Sequence, residues 1–213
     1  MSREHTCLLV VDVQPDFMPG GGLAVEGGDE IVGPLGQLIG DGEFGVIVAT
    51  QDWHPAGHVS FASSHEGKQP METLELHGHD QILWPDHCVQ GTEKAQLHAG
   101  LPLQHLDAIV RKGTDPTVDS YSGFRDNWNA EGERPATGLA GYLRERGIRA
   151  LVVAGLARDV CVKWTIEDAV EAGFDVAFPW DLSRSVDPSK DDDLRRHFEE
   201  LGVEVTERQA LVR

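Results

Sequence analysis

A chain of 213 residues, 40% hydrophobic, is long enough to bury one sizeable core, and no Ser/Gly/Pro-rich linker divides it, so one domain over 1–213 is expected. Eighteen Lys and Arg against 36 Asp and Glu leave a formal net charge of −18, which argues against nucleic acid or an anionic membrane surface as partner and reads as a solvated, soluble surface. Three scattered cysteines form no disulfide framework, no secretory leader is recognisable and the early apolar run Leu8 to Val11 is too short to cross a bilayer, so a reducing cytoplasm is the expected compartment.

Thr6 to Val13, TCLLVVDV, is a near-continuous apolar run, the pattern of a strand covered on both faces, and Asp12 stands at its carboxyl end. Ile31, Leu35, Leu38 and Ile39 recur at helical spacing, which predicts a helix over 31–39 despite Gly33, Pro34 and Gly36. Phe44 to Thr50 predicts a second buried strand, followed at once by Gln51-Asp52-Trp53-His54. From Pro55 to Leu106 the sequence is rich in Gly, Pro and His and reads as one long loop. Ala108 to Lys112 predicts a short strand, and GTDPTVDSYSGF after it is again loop.

The second half alternates: helix 136–146, strand 150–154, helix 160–172, strand 174–178, helix 191–201, strand 203–205. Val162, Ile166, Ala169, Val170 and Gly173 form the stripe that packs the third helix on the sheet, and Asp159 is the expected N-cap. Such alternation predicts an α/β fold, an open, mostly parallel sheet of about six strands with helices on both faces. Ligands in such sheets bind beyond the strand carboxyl ends, where Asp12, Asp52, Lys112 and Cys161 all fall.

A cysteine nucleophile needs its proton removed and its anion stabilised, tasks suited to an aspartate beside a lysine, so Asp12, Lys112 and Cys161 compose a candidate acyl-transfer triad. Cys161 at the start of a helix is expected to be shifted toward thiolate by the helix dipole. Asp52 and His54, with His87 and His58 from later loops, offer oxygen and nitrogen ligands suited to Zn²⁺ or Fe²⁺. His5, His65, His77, His79, His98, His105 and His197 read as surface or supporting residues, although His77-Gly78-His79 mimics a weak metal site. Phe17 and Trp84 are aromatics on the site-forming loops, placed to sandwich a flat ring.

Five segments in order, VVDVQPDFMPGGGLAV, ATQDWHPAGHVSFASSH, WPDHCVQGT, RKGTDPTVDSYSGF and VAGLARDVCVKWTIEDA, resemble the nicotinamidases within the isochorismatase-like cysteine hydrolases. The resemblance implies Asp12 as base and proton shuttle, Lys112 as its ionic partner and Cys161 as nucleophile. It implies one divalent metal, Zn²⁺ before Fe²⁺ or Mn²⁺, on Asp52, His54 and His87, with His58 an additional candidate ligand. Phe17 and Trp84 would sandwich the pyridine ring, and the backbone N–H groups of Ala157 and Cys161 would form the oxyanion hole, preceded by a cis peptide bond before Ala157. The implied reaction is hydrolysis of nicotinamide to nicotinate and ammonia through a thioester, in NAD salvage, with pyrazinamide as a further substrate. Other amide or carbamoyl hydrolysis and a non-catalytic ligand-binding homologue are the alternatives, the metal ligands disfavour isochorismate cleavage, and assembly into a homo-oligomer is left open. Arg158, where the family usually has threonine, is expected to project into solvent or toward a partner chain, and Val160 stands where a bulkier residue is common.

Overall fold

The computed structural model describes residues 3–41 and 43–211. Its centre is a seven-stranded sheet built from β1 (Thr6–Val11), β2 (Val46–Asp52), β5 (Ala108–Lys112), β6 (Ala150–Leu156), β7 (Asp175–Pro179), β8 (Ser183–Arg184) and β9 (Glu204–Thr206). The order is β5-β2-β1-β6-β7-β9, with the two-residue β8 beside the end of β6, and every pairing is parallel. β1, β2 and β6 are buried along their whole length, as their unbroken apolar runs require of strands covered on both faces.

Alternate residues feed two cores. Leu8, Val10, Ile47, Ala49, Val152 and Ala154 pack under α1 (Val32–Gly40), which buries Val32, Leu35, Leu38 and Ile39. Cys7, Leu9, Val11, Val48, Leu151 and Val153 pack on the other face against Leu139 and Leu143 of α2 (Leu139–Glu145), Ile166 and Ala169 of α3 (Lys163–Glu171) and Leu194 and Phe198 of α4 (Asp191–Glu200). A short α5 (Arg208–Leu211) is held through the Arg208 N–H, which donates to Asp181 at 2.8 Å. The chain leaves β1 toward β2 by way of α1 and leaves β6 toward β7 by way of α3, so the crevice between β1 and β6 is the topological switch point. Among the described residues no helix is long and apolar enough to cross a membrane.

Boundaries moved for local reasons. β1 stops at Val11 because Asp12 adopts φ +47, outside strand geometry. α2 starts at Leu139 rather than Ala136: Ala136 bridges Arg125, Thr137 Oγ1 donates to Gly123 O at 2.7 Å, and Gly138 at φ +93 turns the chain into the helix. The helix expected over 160–172 is split, with a π-helical turn over Arg158–Val162 preceding α3. Asp159 does not cap it; its carboxylate instead accepts the N–H groups of Val186 and Asp187, both at 2.8 Å.

The stretch expected to be one long loop contains an antiparallel hairpin, β3 (Thr73–Leu76) with β4 (His79–Ile82). His77 at φ +52 and Gly78 at φ +81 are its two-residue turn, the both-positive geometry of a type I′ turn. These residues are therefore turn chemistry and not a metal mimic: His77 Nε2 lies 3.0 Å from Thr117 O, and the His79 ring stacks on Trp128 at 4.2 Å.

Candidate active site

The four strand-end residues meet on one edge of the sheet. Asp12 follows β1, Asp52 closes β2 and sits in direct register with Lys112 at the end of β5, and Cys161 lies in the turn after β6. Gln14, which sequence reasoning passed over, holds this edge in register: its Oε1 accepts the Asp52 N–H and its Nε2 donates to Asp52 O, each at 2.8 Å. Thr50 on β2 donates its hydroxyl to Asp12 Oδ1 at 2.6 Å.

The Lys112 ammonium is fully buried and is the hub of the site. It lies 3.0 Å from Asp12 Oδ2, 2.9 Å from Asp52 Oδ1, 2.9 Å from Ser120 O and 3.5 Å from Cys161 Sγ. Burial alone would lower its pKa, but Asp12, Asp52 and Cys161 more than offset that and hold it well above the ordinary lysine range. Lys112 was expected to pair with Asp12; it also pairs with Asp52, so one cation serves both carboxylates.

Burial raises Asp12 above the usual carboxylate range, against the opposing pull of Lys112 and Thr50. Its Oδ2 makes an ion pair with Lys112 but no hydrogen bond of good geometry, so this oxygen retains a lone pair for a proton. Cys161 departs from its expectation. It belongs to a π-helical turn rather than a helix N-terminus, and burial, reinforced by Asp12 and Asp52, holds the thiol well above its ordinary pKa although Lys112 pulls it down.

Asp52 divides its carboxylate: Oδ1 faces Lys112, while Oδ2 lies 3.0 Å from His54 Nε2 and 3.4 Å from His87 Nε2. Burial would raise Asp52, but the charges of His54 and Lys112 and the hydrogen bonds of both histidines hold it well below the usual range. Each imidazole is oriented by a backbone carbonyl, His54 Nδ1 on Gly113 O at 3.0 Å and His87 Nδ1 on Pro85 O at 2.8 Å. With both Nδ1 atoms engaged by those carbonyls, both Nε2 atoms face Asp52 Oδ2, where each either donates a proton to the carboxylate or, deprotonated, offers its lone pair to a cation held between them. Burial would lower the pKa of His54, but the Asp52 charge and hydrogen bond raise it.

The three ligand atoms lie within 4.8 Å of one another. Donors about 2.1 Å from one metal stand roughly 3.0–3.4 Å apart between octahedral and tetrahedral angles, so the donor set and its spacing fit a divalent ion.

His58 stands to one side. It groups with His54 and Asp119 within 4.8 Å, but both its nitrogens have protein partners: Nδ1 with Ser60 Oγ at 2.8 Å, Nε2 with Asp115 O at 2.9 Å and Val118 O at 3.2 Å. Burial and the neighbouring His54 lower its pKa and keep it neutral, and its ring packs on His54 at 4.3 Å. Gly113 packs as closely. At φ +64 a Cβ there would lie 2.4 Å from His54 Cε1, so Gly113→Ala is expected to displace the imidazole and reduce bound metal severalfold, read by metal analysis of the purified protein; an undiminished metal load would show that the ring has room to move.

These groups open on a cavity lined by Phe17, Trp84, Tyr121, Ala157, Val160 and Cys161 together with Asp52, His54 and His87. Its walls are largely apolar and aromatic, the lining a flat ring requires. Phe17 and Trp84 are both buried, the Phe17 ring lies 5.6 Å from that of His87, and Trp84 meets Tyr121 edge-on at 6.2 Å. Asp119, Ser120 and Tyr121 come from the segment read only as loop; the polar residues packed into its DSYSGF run were the available signal.

The Leu156–Ala157 peptide bond is cis, and Ala157 O accepts from the N–H groups of Val160 and Val162 at 3.1 and 3.0 Å. Arg158 is buried rather than projecting outward. Its guanidinium donates to Asp191 Oδ2 at 2.5 Å, Trp180 O at 2.9 Å and Ser183 O at 2.5 Å and lies 4.0 Å over the Trp180 ring, tying the turn to the segment after β7 and to α4.

The isochorismatase domain model matches residues 6–210. A nicotinamidase of Acinetobacter baylyi is 47% identical over 188 residues, covering 88% of this chain and 85% of that protein. The structure of an Acinetobacter baumanii nicotinamidase pyrazinamidase superposes with a TM-score of 0.90 at 42% identity, over 98% of each chain. A Pyrococcus horikoshii pyrazinamidase in complex with zinc superposes with a TM-score of 0.77 at 32% identity, over 95% of this chain and 99% of that one.

Proposed function

The chain belongs to the isochorismatase family, and from that premise we propose that it is a nicotinamidase, hydrolysing nicotinamide to nicotinate and ammonia in NAD salvage, with Cys161 as nucleophile. The observation that carries this reading is the buried ammonium of Lys112, in contact at once with Asp12, Cys161 and the carboxylate that faces His54 and His87. The naming of the Acinetobacter relatives as nicotinamidases supports the substrate.

In this mechanism Asp12 Oδ2 takes the thiol proton as Cys161 Sγ attacks the carboxamide carbon, and Lys112 holds down the charge of both. The carbonyl oxygen becomes an oxyanion that accepts from the N–H groups of Ala157 and Cys161, donors of a kind worth about 3 kcal/mol of barrier each. Collapse breaks the C–N bond as Asp12 returns the proton to nitrogen. Ammonia leaves and a thioester remains. Asp12 then takes a proton from an attacking water, the C–S bond breaks, and nicotinate departs as Cys161 recovers its proton.

Phe17 and Trp84 hold the ring between them. Asp52, His54 and His87 would hold one divalent cation, Zn²⁺ in first place, as in the zinc complex of the Pyrococcus relative, with Fe²⁺ or Mn²⁺ as alternatives. Bound there, it supplies Lewis acidity beside the ring cavity. His58 serves as a buttress for His54 in this reading, not as a ligand. The chain is taken as one hydrolase domain working in a reducing cytoplasm, consistent with its three free cysteines.

Ammonia release measured across nicotinamide, pyrazinamide, aliphatic amides and N-carbamoyl compounds tests the assignment. Nicotinamide and pyrazinamide are expected to be turned over with kcat/KM at least about 100-fold above the rest. Preference for an N-carbamoyl compound would move the chain to another branch of the family, and tight nicotinamide binding without turnover would make it a binding protein.

A further inference from the structure

The β3–β4 hairpin carries one buried side chain, Gln81, and aims its amide at the wall of the cavity. Gln81 Nε2 lies within donating distance of Asp119 Oδ2 at 2.7 Å, the Tyr121 hydroxyl at 3.1 Å and Ile82 O at 2.7 Å. Trp84 Nε1 donates to the same Tyr121 hydroxyl at 3.3 Å. The amide nitrogen has two protons to share among these three oxygens, so Gln81 ties the Tyr121 hydroxyl, Asp119 and Ile82 O into one cluster, and Trp84 donates to the same phenol oxygen. Asp119 is buried, its other oxygen accepts the Ser120 N–H at 2.8 Å, and among the described residues no Lys or Arg pairs with it. Its neighbours among the bonded groups are thus amides rather than cations, and losing Gln81 would leave a buried carboxylate oxygen and a phenol both short of a donor.

We propose that Gln81 is a positioning residue for ring binding: the hairpin acts through this amide to fix the Tyr121 phenol, and through it the Trp84 wall on which the substrate ring rests. The inference depends on the nicotinamidase reading. It gives the hairpin, which supplies none of the triad or metal-ligating groups, a role in specificity.

Steady-state kinetics of the metal-loaded full chain with Gln81→Leu, Tyr121→Phe and the double variant test it. Each single change is expected to raise KM for nicotinamide about 5- to 20-fold while kcat stays within about twofold, because the wall binds the ring equally in the ground and transition states. The double variant is expected to lose less than the product of the two single losses, since both changes break the Gln81–Tyr121 contact while each also breaks one of its own, Gln81 to Asp119 and Trp84 to Tyr121. Gln81→Glu, which sets a second carboxylate against Asp119, is expected to lose more than Gln81→Leu.

An unchanged KM accompanied only by a lower Tm would reduce Gln81 to a structural residue and overturn the proposal, as would losses that multiply in the double variant. If Gln81→Leu does not fold, the near-isosteric Gln81→Met, which also lacks the amide donor, decides by the same KM criterion. Wild-type turnover in the same assay separates the two readings: turnover with an unmoved KM in the variants overturns the positioning role alone, and no turnover overturns both.

Discussion

Cys161→Ala is expected to lower ammonia release from nicotinamide by at least about 10³-fold, the scale on which removal of a nucleophile acting as part of a unit is felt. Binding should survive. Phe17, Trp84 and Tyr121 are untouched by the change, and removing one buried sulfur leaves the ring cavity in place. Equilibrium dialysis with nicotinamide checks the second half, and a dissociation constant within about threefold of wild type is expected. The same variant removes the 3.5 Å contact to Lys112, whose ammonium keeps its ion pairs with Asp12 and Asp52, so the remaining charge network stays balanced. Full activity in Cys161→Ala would mean that another group carries the acyl transfer.

The second large effect is expected from His54→Ala, which should reduce bound metal and activity together. Loss of an outer-shell partner typically costs 10- to 100-fold in metal affinity or activity, and loss of a ligand should exceed about 100-fold. The geometry sharpens this. His54 Nε2 is one of two imidazole nitrogens that face Asp52 Oδ2, and without it a single histidine and one carboxylate oxygen remain. His58→Ala is the comparison, because its ring packs on His54 while both its nitrogens bond elsewhere in the protein, and a milder loss of metal is expected. Metal analysis after dialysis, run beside ammonia release, reads both; an unchanged metal content in His54→Ala would remove it from the ligand set.

Much of this site was legible before any coordinates. Parallel strands buried on both faces announce themselves as apolar runs, and a polar residue directly after such a run must stand on the ligand-binding edge, which is why Asp12, Asp52 and Lys112 could be placed together. The hairpin was not legible because its strands are four residues each and mostly exposed, its apolar alternation is confined to Leu74 and Leu76, and its His77-Gly78 turn is not one of the common hairpin pairs. With it went Gln81.

The direction in which the fold shifts Cys161 was misjudged for a different reason. Position near a helix start is visible in sequence, whereas complete burial beside two carboxylates is a property of the packed fold, and here burial dominates the helix effect. Arg158 was misplaced in the same way: its partners Asp191, Trp180 and Ser183 are 22 or more residues away in sequence, and nothing local marks it as buried. The contact of Lys112 with both Asp12 and Asp52 likewise needed the direct register of β2 and β5.

The most direct measurement of the central claim is the stoichiometry of nicotinate and ammonia produced from nicotinamide by the wild-type chain, before chelation, after chelation and after readdition of Zn²⁺. One nicotinate per ammonia is predicted, with activity lost on chelation and restored by the metal. Absence of both products from metal-loaded protein whose Cys161 is intact and reduced would contradict the account.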